Sequence, residues 1–207
     1  MTVFKKFLAI VILGRPGSGK DTQAELLAKK FGLSHLISSK IIEKSLKSKA
    51  KTIKSDDGVY NVEKERRIQK SGYLNTPDFV AALVKGEIKK IAREGFGVVM
   101  SGSPRTLKEL KEEMPVLEKL YGKSNLYFFH IKINPKEVYV RNLKRHRKDL
   151  PELDSRKIIK KRLEVFNRDT FPLIKYLKSQ KRVVDVNGEQ SIMKIHLDIL
   201  KSLSPLS

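Results

Sequence analysis

The sequence predicts an α/β protein: a three-layer sandwich in which a five-stranded, mostly parallel sheet lies between helices on both faces. Three observations carry that expectation. Five short apolar runs, 7–13, 35–37, 97–100, 126–133 and 182–186, do not alternate with polar residues, which is the pattern of parallel strands buried on both faces. Between them lie stretches with the 3.6-residue period of amphipathic helices. The first run leads directly into G-R-P-G-S-G-K-D-T at 14–22 and then into the helix-like stretch 23–31, a strand, a glycine-rich turn and a helix start in succession.

Taken in order, the first strand follows Lys5-Lys6 and so imitates a secretory leader. Its apolar run feeds straight into the turn without a small-residue cleavage site, so a buried strand is the reading. In the turn, Gly14, Gly17 and Gly19 let successive N–H groups face inward around a phosphate. The following helix adds its positive end and Lys20 an ammonium group. Gly14, Pro16, Gly17, Ser18, Gly19, Lys20, Asp21 and Thr22 thus form a candidate phosphate loop (P-loop) for a nucleoside polyphosphate. A Ser or Thr whose hydroxyl binds Mg²⁺ usually follows the Lys; here the residue is Asp21.

The stretch 39–73 is polar and Lys-rich, carries the turn signal Ser55-Asp56-Asp57-Gly58, and reads as a small helical insertion. Thr76-Pro77 then caps a long helix with one apolar stripe over 78–94, and Asn134-Pro135 starts another in the same way. Residues 146–156 form a charged connection between two basic helices. In such an alternation, ligands sit at the carboxyl ends of the strands.

Composition narrows the class. A chain of 207 residues with 40% apolar content buries one substantial core, so a single domain over 1–207 is expected. With no cysteine, neither a disulfide nor a thiolate zinc site can form, and the four histidines show no ligand spacing. A cytoplasmic protein is the expectation. No segment approaches the ~20 apolar residues that span a bilayer. The formal net charge of +21 attracts polyanions of any kind, but the basic residues are spread along the chain with few aromatics between them. A Lys-rich solvated surface is therefore favoured over RNA binding.

From the loop onward, four blocks stand in one order. Residues 14–28, G-R-P-G-S-G-K-D-T-Q-A-E-L-L-A, resemble the opening of adenylate kinases and related nucleoside monophosphate kinases. The blocks G-Y-L-N-T-P at 72–77, S-G-S-P-R-T at 101–106 and K-K-R-L-E-V-F-N-R-D-T-F-P-L-I at 160–174 are also similar to that family. The resemblance implies a P-loop kinase domain of the short-lid type, with 39–73 as monophosphate-binding insertion and 146–156 as a reduced lid. It implies MgATP as donor, AMP as default acceptor (ATP + AMP = 2 ADP), and a monomer. Carried over by position, Lys20 and the backbone of 17–22 would hold the donor phosphates, with Arg141 also on ATP. Arg105 would hold the acceptor phosphate, and Arg141, Arg145 and Arg162 would surround the group in flight. Ser38, Ser39, Gly72, Leu74, Gly102, Arg105 and Glu109 would line the acceptor site. The chemistry agrees, because phosphoryl transfer requires alignment and charge neutralisation rather than a general base, and arginine grips two oxygens with a charge it never loses.

The chain departs from that pattern at several points. Ser101 replaces the Asp that begins D-G-F-P-R-T and orients the waters of Mg²⁺. Two readings of Asp21 stand: a relocated carboxylate contact for Mg²⁺, or a first-turn residue favoured by the helix dipole. The segment Ser38-Ser39-Lys40-Ile41-Ile42-Glu43 stands where the family has T-G-D-M-L-R, so Glu43 replaces a phosphate-binding arginine and Lys40 or Lys44 becomes the substitute cation. Glu109 replaces the Gln that reads adenine. A carboxylate can only accept hydrogen bonds, which suits guanine or the cytosine amino group; the other reading is a helix-surface Glu beside Lys108 and Lys111. In the lid, Arg145 and Asp154 remain, but Pro151 stands where an arginine is expected, which predicts lower turnover and more ATP hydrolysis. Transfer to GMP or CMP/UMP stays open, as does a weakly active nucleotide-binding protein that associates with RNA.

Overall fold

The computed structural model describes residues 7–71, 73–144 and 155–203. Five strands, β1 (Ala9–Gly14), β2 (Ser34–Ile37), β5 (Val98–Ser101), β6 (Leu126–Lys132) and β7 (Val183–Asn187), form one sheet in the order β2-β5-β1-β6-β7. Each adjacent pair is parallel, with Ala9 opposite both Val98 and Leu126. All five expected strands are present, and the sheet is wholly parallel.

The apolar run of β1 is buried on both sides because it is the central strand. Side chains alternate along it. Ala9, Val11 and Leu13 enter a core layer with α4 (Pro77–Arg93), α5 (Leu107–Tyr121) and α8 (Phe171–Ser179). Ile10 and Ile12 enter the opposite layer with α1 (Lys20–Phe31) and α9 (Ile192–Ser202). These are the two outer layers of the sandwich. A third cluster, Ile133, Val138, Ile159 and Leu163, joins α6 (Pro135–Leu143) to α7 (Arg156–Val165) beyond the carboxyl end of β6. A π-helical turn, Phe166–Thr170, connects α7 to α8.

The 39–73 insertion corrects the helical expectation. It contains α2 (Ser38–Lys47) and α3 (Val62–Lys70), but between them runs an antiparallel hairpin, β3 (Thr52–Ser55) with β4 (Gly58–Asn61). The cause is local: T-I-K-S and G-V-Y-N alternate in polarity across a two-residue Asp56-Asp57 turn. Ile53 and Tyr60 face the core, the Tyr60 ring meeting Phe79 edge-on at 5.9 Å. Arg66 closes the unit by donating to the Leu46 and Ser48 carbonyls at the end of α2, at 2.6 and 2.7 Å. Where the insertion returns to the sheet, the buried Glu65 carboxylate accepts from Asn75 Nδ2, Thr76 N–H and Thr76 Oγ1, pinning the start of α4.

Candidate active site

The phosphate loop leaves β1 at Gly14 and enters α1 at Lys20. Gly17 and Gly19 have φ of +81° and +88°, which a residue with a Cβ rarely adopts. A Cβ on Gly17 would lie 2.5 Å from Asn142 Nδ2. Asn142, fully buried on α6, donates from Nδ2 to the carbonyls of Val138 (2.7 Å) and Pro16 (3.2 Å). On the other side Arg15 donates to the Ile133 carbonyl and stands 5.7 Å from the centre of the Phe166 ring. The loop is therefore held from outside by α6, the end of β6 and the π-turn.

Two cavities open beside it. The larger, about 250 Å³, is bounded by Gly14, Pro16 and Lys20 on one side and by Arg162 and Phe166 on the other. The smaller, about 110 Å³, is bounded by Ser39 and Ile42 of α2 and by Glu109 of α5. Tyr73, Leu74, Gly102 and Arg105 line both, so the two meet at Arg105. Its guanidinium is steadied by donation from Nε to the Gly102 carbonyl at 2.7 Å. Gly102 has φ +87°, and a Cβ there would lie 2.7 Å from the buried Ser38 Oγ.

A sequence model described as adenylate kinase matches residues 12–182. The chain belongs to the adenylate kinase family. It is a P-loop phosphotransferase, a nucleoside monophosphate kinase that binds ATP. An adenylate kinase of Bacteroides fragilis is 29% identical over 199 residues, covering 96% of this chain and all of the relative. One from Clostridium botulinum is 29% identical over 218 aligned positions, covering 91% and 94% respectively. No helix among the described residues is long and apolar enough to cross a membrane.

Gly14, Pro16, Lys20, Leu74, Gly102, Arg105 and Arg162 line the larger cavity, and Ser39 and Glu109 the smaller one. Ser18 is buried, Asp21 is half-buried in the first turn of α1, and Thr22 is exposed. Arg141 flanks the loop, its Cβ 3.6 Å from the place a Gly17 Cβ would take. Its guanidinium is engaged by the Glu137 carboxylate at 2.6 Å and the Gly188 carbonyl at 2.7 Å. Gly72, Arg145, Pro151 and Asp154, with most of the 146–156 lid, lie outside the described residues.

Two readings need correction. Glu109 is buried, so it is not a helix-surface residue. Its Oε2 accepts from the Arg105 N–H at 2.7 Å and its Oε1 from Thr106 Oγ1 at 3.2 Å, so it braces the loop that carries Arg105. Lys40 and Lys44 do not substitute for the missing arginine: both line a groove on the other side of α2, and Glu43 is exposed and paired with Lys47.

Behind Glu109, one helical turn on, Glu113 is wholly buried and takes a 2.6 Å hydrogen bond from Ser103 Oγ, while its Oε2 has no hydrogen-bond partner among the described residues. Burial, and then the neighbouring Glu109, push the Glu113 carboxyl well above the usual range, which favours its protonated form. Burial also raises Glu109, against the pull of the Arg105 N–H.

The Ser101 hydroxyl is also taken: it is 3.0 Å from His35 Nε2. Burial lowers the His35 pKa, with Asp21 and Glu25 opposing the shift, so Asp21 is near enough to act on that imidazole. Among the described residues no group of three or more His, Asp or Glu side chains gathers to hold a metal alone. The carboxylate next to Lys20, that of Asp21 in the first turn of α1, is of the donor type that Mg²⁺ takes, which is one or two carboxylates plus phosphate oxygens and water.

Sequence reasoning passed over Asn142, Arg15, His35, Lys161 and Tyr73. Lys161, on α7, donates to the Ser71 carbonyl at 2.7 Å and stands 4.3 Å from the centre of the Tyr73 ring, so it ties α7 to the segment that lines both cavities. Only Asn142 left a signal, as a polar residue one turn from Val138 on the buried face of α6.

Proposed function

We propose that the chain transfers the γ-phosphoryl group of MgATP to AMP, giving two ADP. The observation that carries this reading is the pair of cavities that share Arg105, one bounded by the phosphate loop and the other by Ser39, Leu74 and Glu109. ATP phosphates fit the glycine-bounded side, where loop N–H groups, the α1 dipole and Lys20 converge. The acceptor phosphate fits the junction, where Arg105 grips it.

An acceptor phosphate oxygen attacks the γ-phosphorus in line, and the bond from that phosphorus to the β,γ-bridging oxygen breaks. Lys20 moves with the charge, Arg105 fixes the attacking oxygen, and Arg162 neutralises the equatorial oxygens, helped by Arg141 and Arg145. Asp21, together with the nucleotide's phosphates, would hold Mg²⁺, which would further neutralise β- and γ-phosphate charge. No protein base is required. A cytoplasmic monomer is part of this reading.

A second reading, transfer to GMP or CMP/UMP, is favoured by one observation: Glu109 lines the smaller cavity as a carboxylate where the family's adenine reader is an amide. Diphosphate formation from MgATP with AMP, GMP, CMP and UMP in turn, with Lys20→Met as blank, tests both. AMP as best acceptor supports the first reading, and GMP, CMP or UMP as best acceptor the second. No product from any of the four overturns both.

A further inference from the structure

The basic residues look dispersed along the sequence, but the fold gathers many of them on one face of the insertion. Between Ser38 and Lys54 the chain carries six lysines and one acid, Glu43. Lys40, Lys44, Lys47, Lys49, Lys51 and Lys54 are all exposed. Lys85, Lys89 and Lys90 of α4 approach the same face, and with Lys40, Lys44 and Lys54 they line a groove of about 670 Å³ between α2, the β3–β4 hairpin and α4. A shallower groove of about 390 Å³ continues along α2 past Lys47.

The acids there are mostly committed. Asp57 pairs with Lys85 at 2.9 Å, Asp56 with Lys89 at 2.6 Å and Glu43 with Lys47 at 2.6 Å. Among the described residues Lys40, Lys44, Lys54 and Lys90 have no ion pair, and against them the groove sets one unpaired carboxylate, Glu87. Four unpaired ammonium groups around one groove repel one another, and the arrangement is relieved by an anion that spans them.

We propose that this outer face of the insertion binds double-stranded nucleic acid through its phosphate backbone. A single small anion would satisfy one or two of these lysines, whereas a polyphosphate chain of regular spacing meets a row of them. Among the described residues no aromatic side chain lines either groove, so the bases of a single strand find no stacking platform there. Lysine is a point charge without the planar fork that reads base edges, so the contact is independent of sequence. The site is separate from the phosphoryl-transfer cleft. Helix α2 presents Ser39 and Ile42 to the smaller cavity and Lys40, Ile41 and Lys44 to the groove, so a bound duplex leaves the cleft open.

The test uses the full chain and short labelled duplexes of RNA and of DNA, with a single strand and anionic vesicles as comparison arms, titrated across about 50–200 mM salt. Two triple variants carry equal charge loss: Lys47→Gln/Lys54→Gln/Lys90→Gln on the groove, and Lys111→Gln/Lys119→Gln/Lys123→Gln on and just beyond α5. Phosphoryl transfer by each variant reports an intact fold. The groove triple is expected to weaken duplex binding about tenfold or more and to lower the slope of log affinity against log salt by about 3, while the α5 triple stays near the parent. The RNA and DNA arms decide which duplex is the ligand. Equal losses in the two triples, preference for the single strand, binding to vesicles alone, or no duplex binding at low salt would each overturn the proposal.

Discussion

The phosphate loop and the 101–109 segment deliver groups to the same cleft, yet they are fixed in opposite ways. The loop is made of glycines and backbone and is held from outside, by Asn142 on α6 and by Arg15 against Ile133 and Phe166. The segment that carries Arg105 is held from within, by the carboxylate of Glu109 on the helix it leads into, with Glu113 behind Ser103. The difference shows where each half tolerates change. A loop that works through N–H groups depends on backbone angles, so its glycines are kept even though the side chain at Asp21 departs from the usual pattern. A segment braced by buried acids depends on protonation and packing, and there the chain departs from the family at Ser101 and Glu109.

The largest expected effect breaks the donor side. Lys20→Met should lower kcat by about 10³ at saturating substrates, since it removes the phosphate-loop cation that lines the donor cavity; stopped-time assays of ADP formation measure it. Next come two glycine substitutions that sharpen the contrast. Gly17→Ala and Gly102→Ala both force a Cβ onto a positive φ and against a neighbour, Asn142 Nδ2 or Ser38 Oγ, at a cost of about 1–3 kcal/mol each. Steady-state kinetics should show the first raising KM for ATP and the second raising KM for the monophosphate.

A smaller effect probes the bracing acids. Glu113 keeps its proton in the folded chain and loses it in the unfolded one between the ordinary carboxyl pKa and its raised folded value. The unfolded state then binds fewer protons, so this group's contribution to stability is present at low pH and is lost as pH rises through that window. Glu113→Gln removes the dependence. Denaturant titrations should show the variant gaining on the parent by up to about 1.4 kcal/mol per pH unit above pH 5.

The same contrast explains what the sequence revealed. The strand-loop-helix unit is a local pattern: unalternating Phe7 to Leu13, three glycines and Lys20 each declare their role within a few residues. The hairpin was hidden because Lys49, Lys51 and Lys54 gave the insertion a helical-looking polar composition, while its two-residue period covers only Thr52–Ser55 and Gly58–Asn61. Of the two readings of Glu109, the surface one rests on the flanking Lys108 and Lys111. The better signal was the stripe 109, 113, 117 and 121, four residues apart, all buried on α5. Arg15 and Lys161 act through partners that only the tertiary fold brings near, Ile133 and Tyr73, and no local pattern announces them.

The most direct test of the two-sided cleft is calorimetric binding of ATP and of AMP, each alone, to Arg105→Ala and to Asn142→Ala. Arg105→Ala should weaken AMP by at least about tenfold and leave ATP within about twofold, as loss of a charge-assisted phosphate contact requires. Asn142→Ala should do the reverse, because it frees the loop without touching the acceptor cavity. Equal weakening of both nucleotides in either variant would contradict the account.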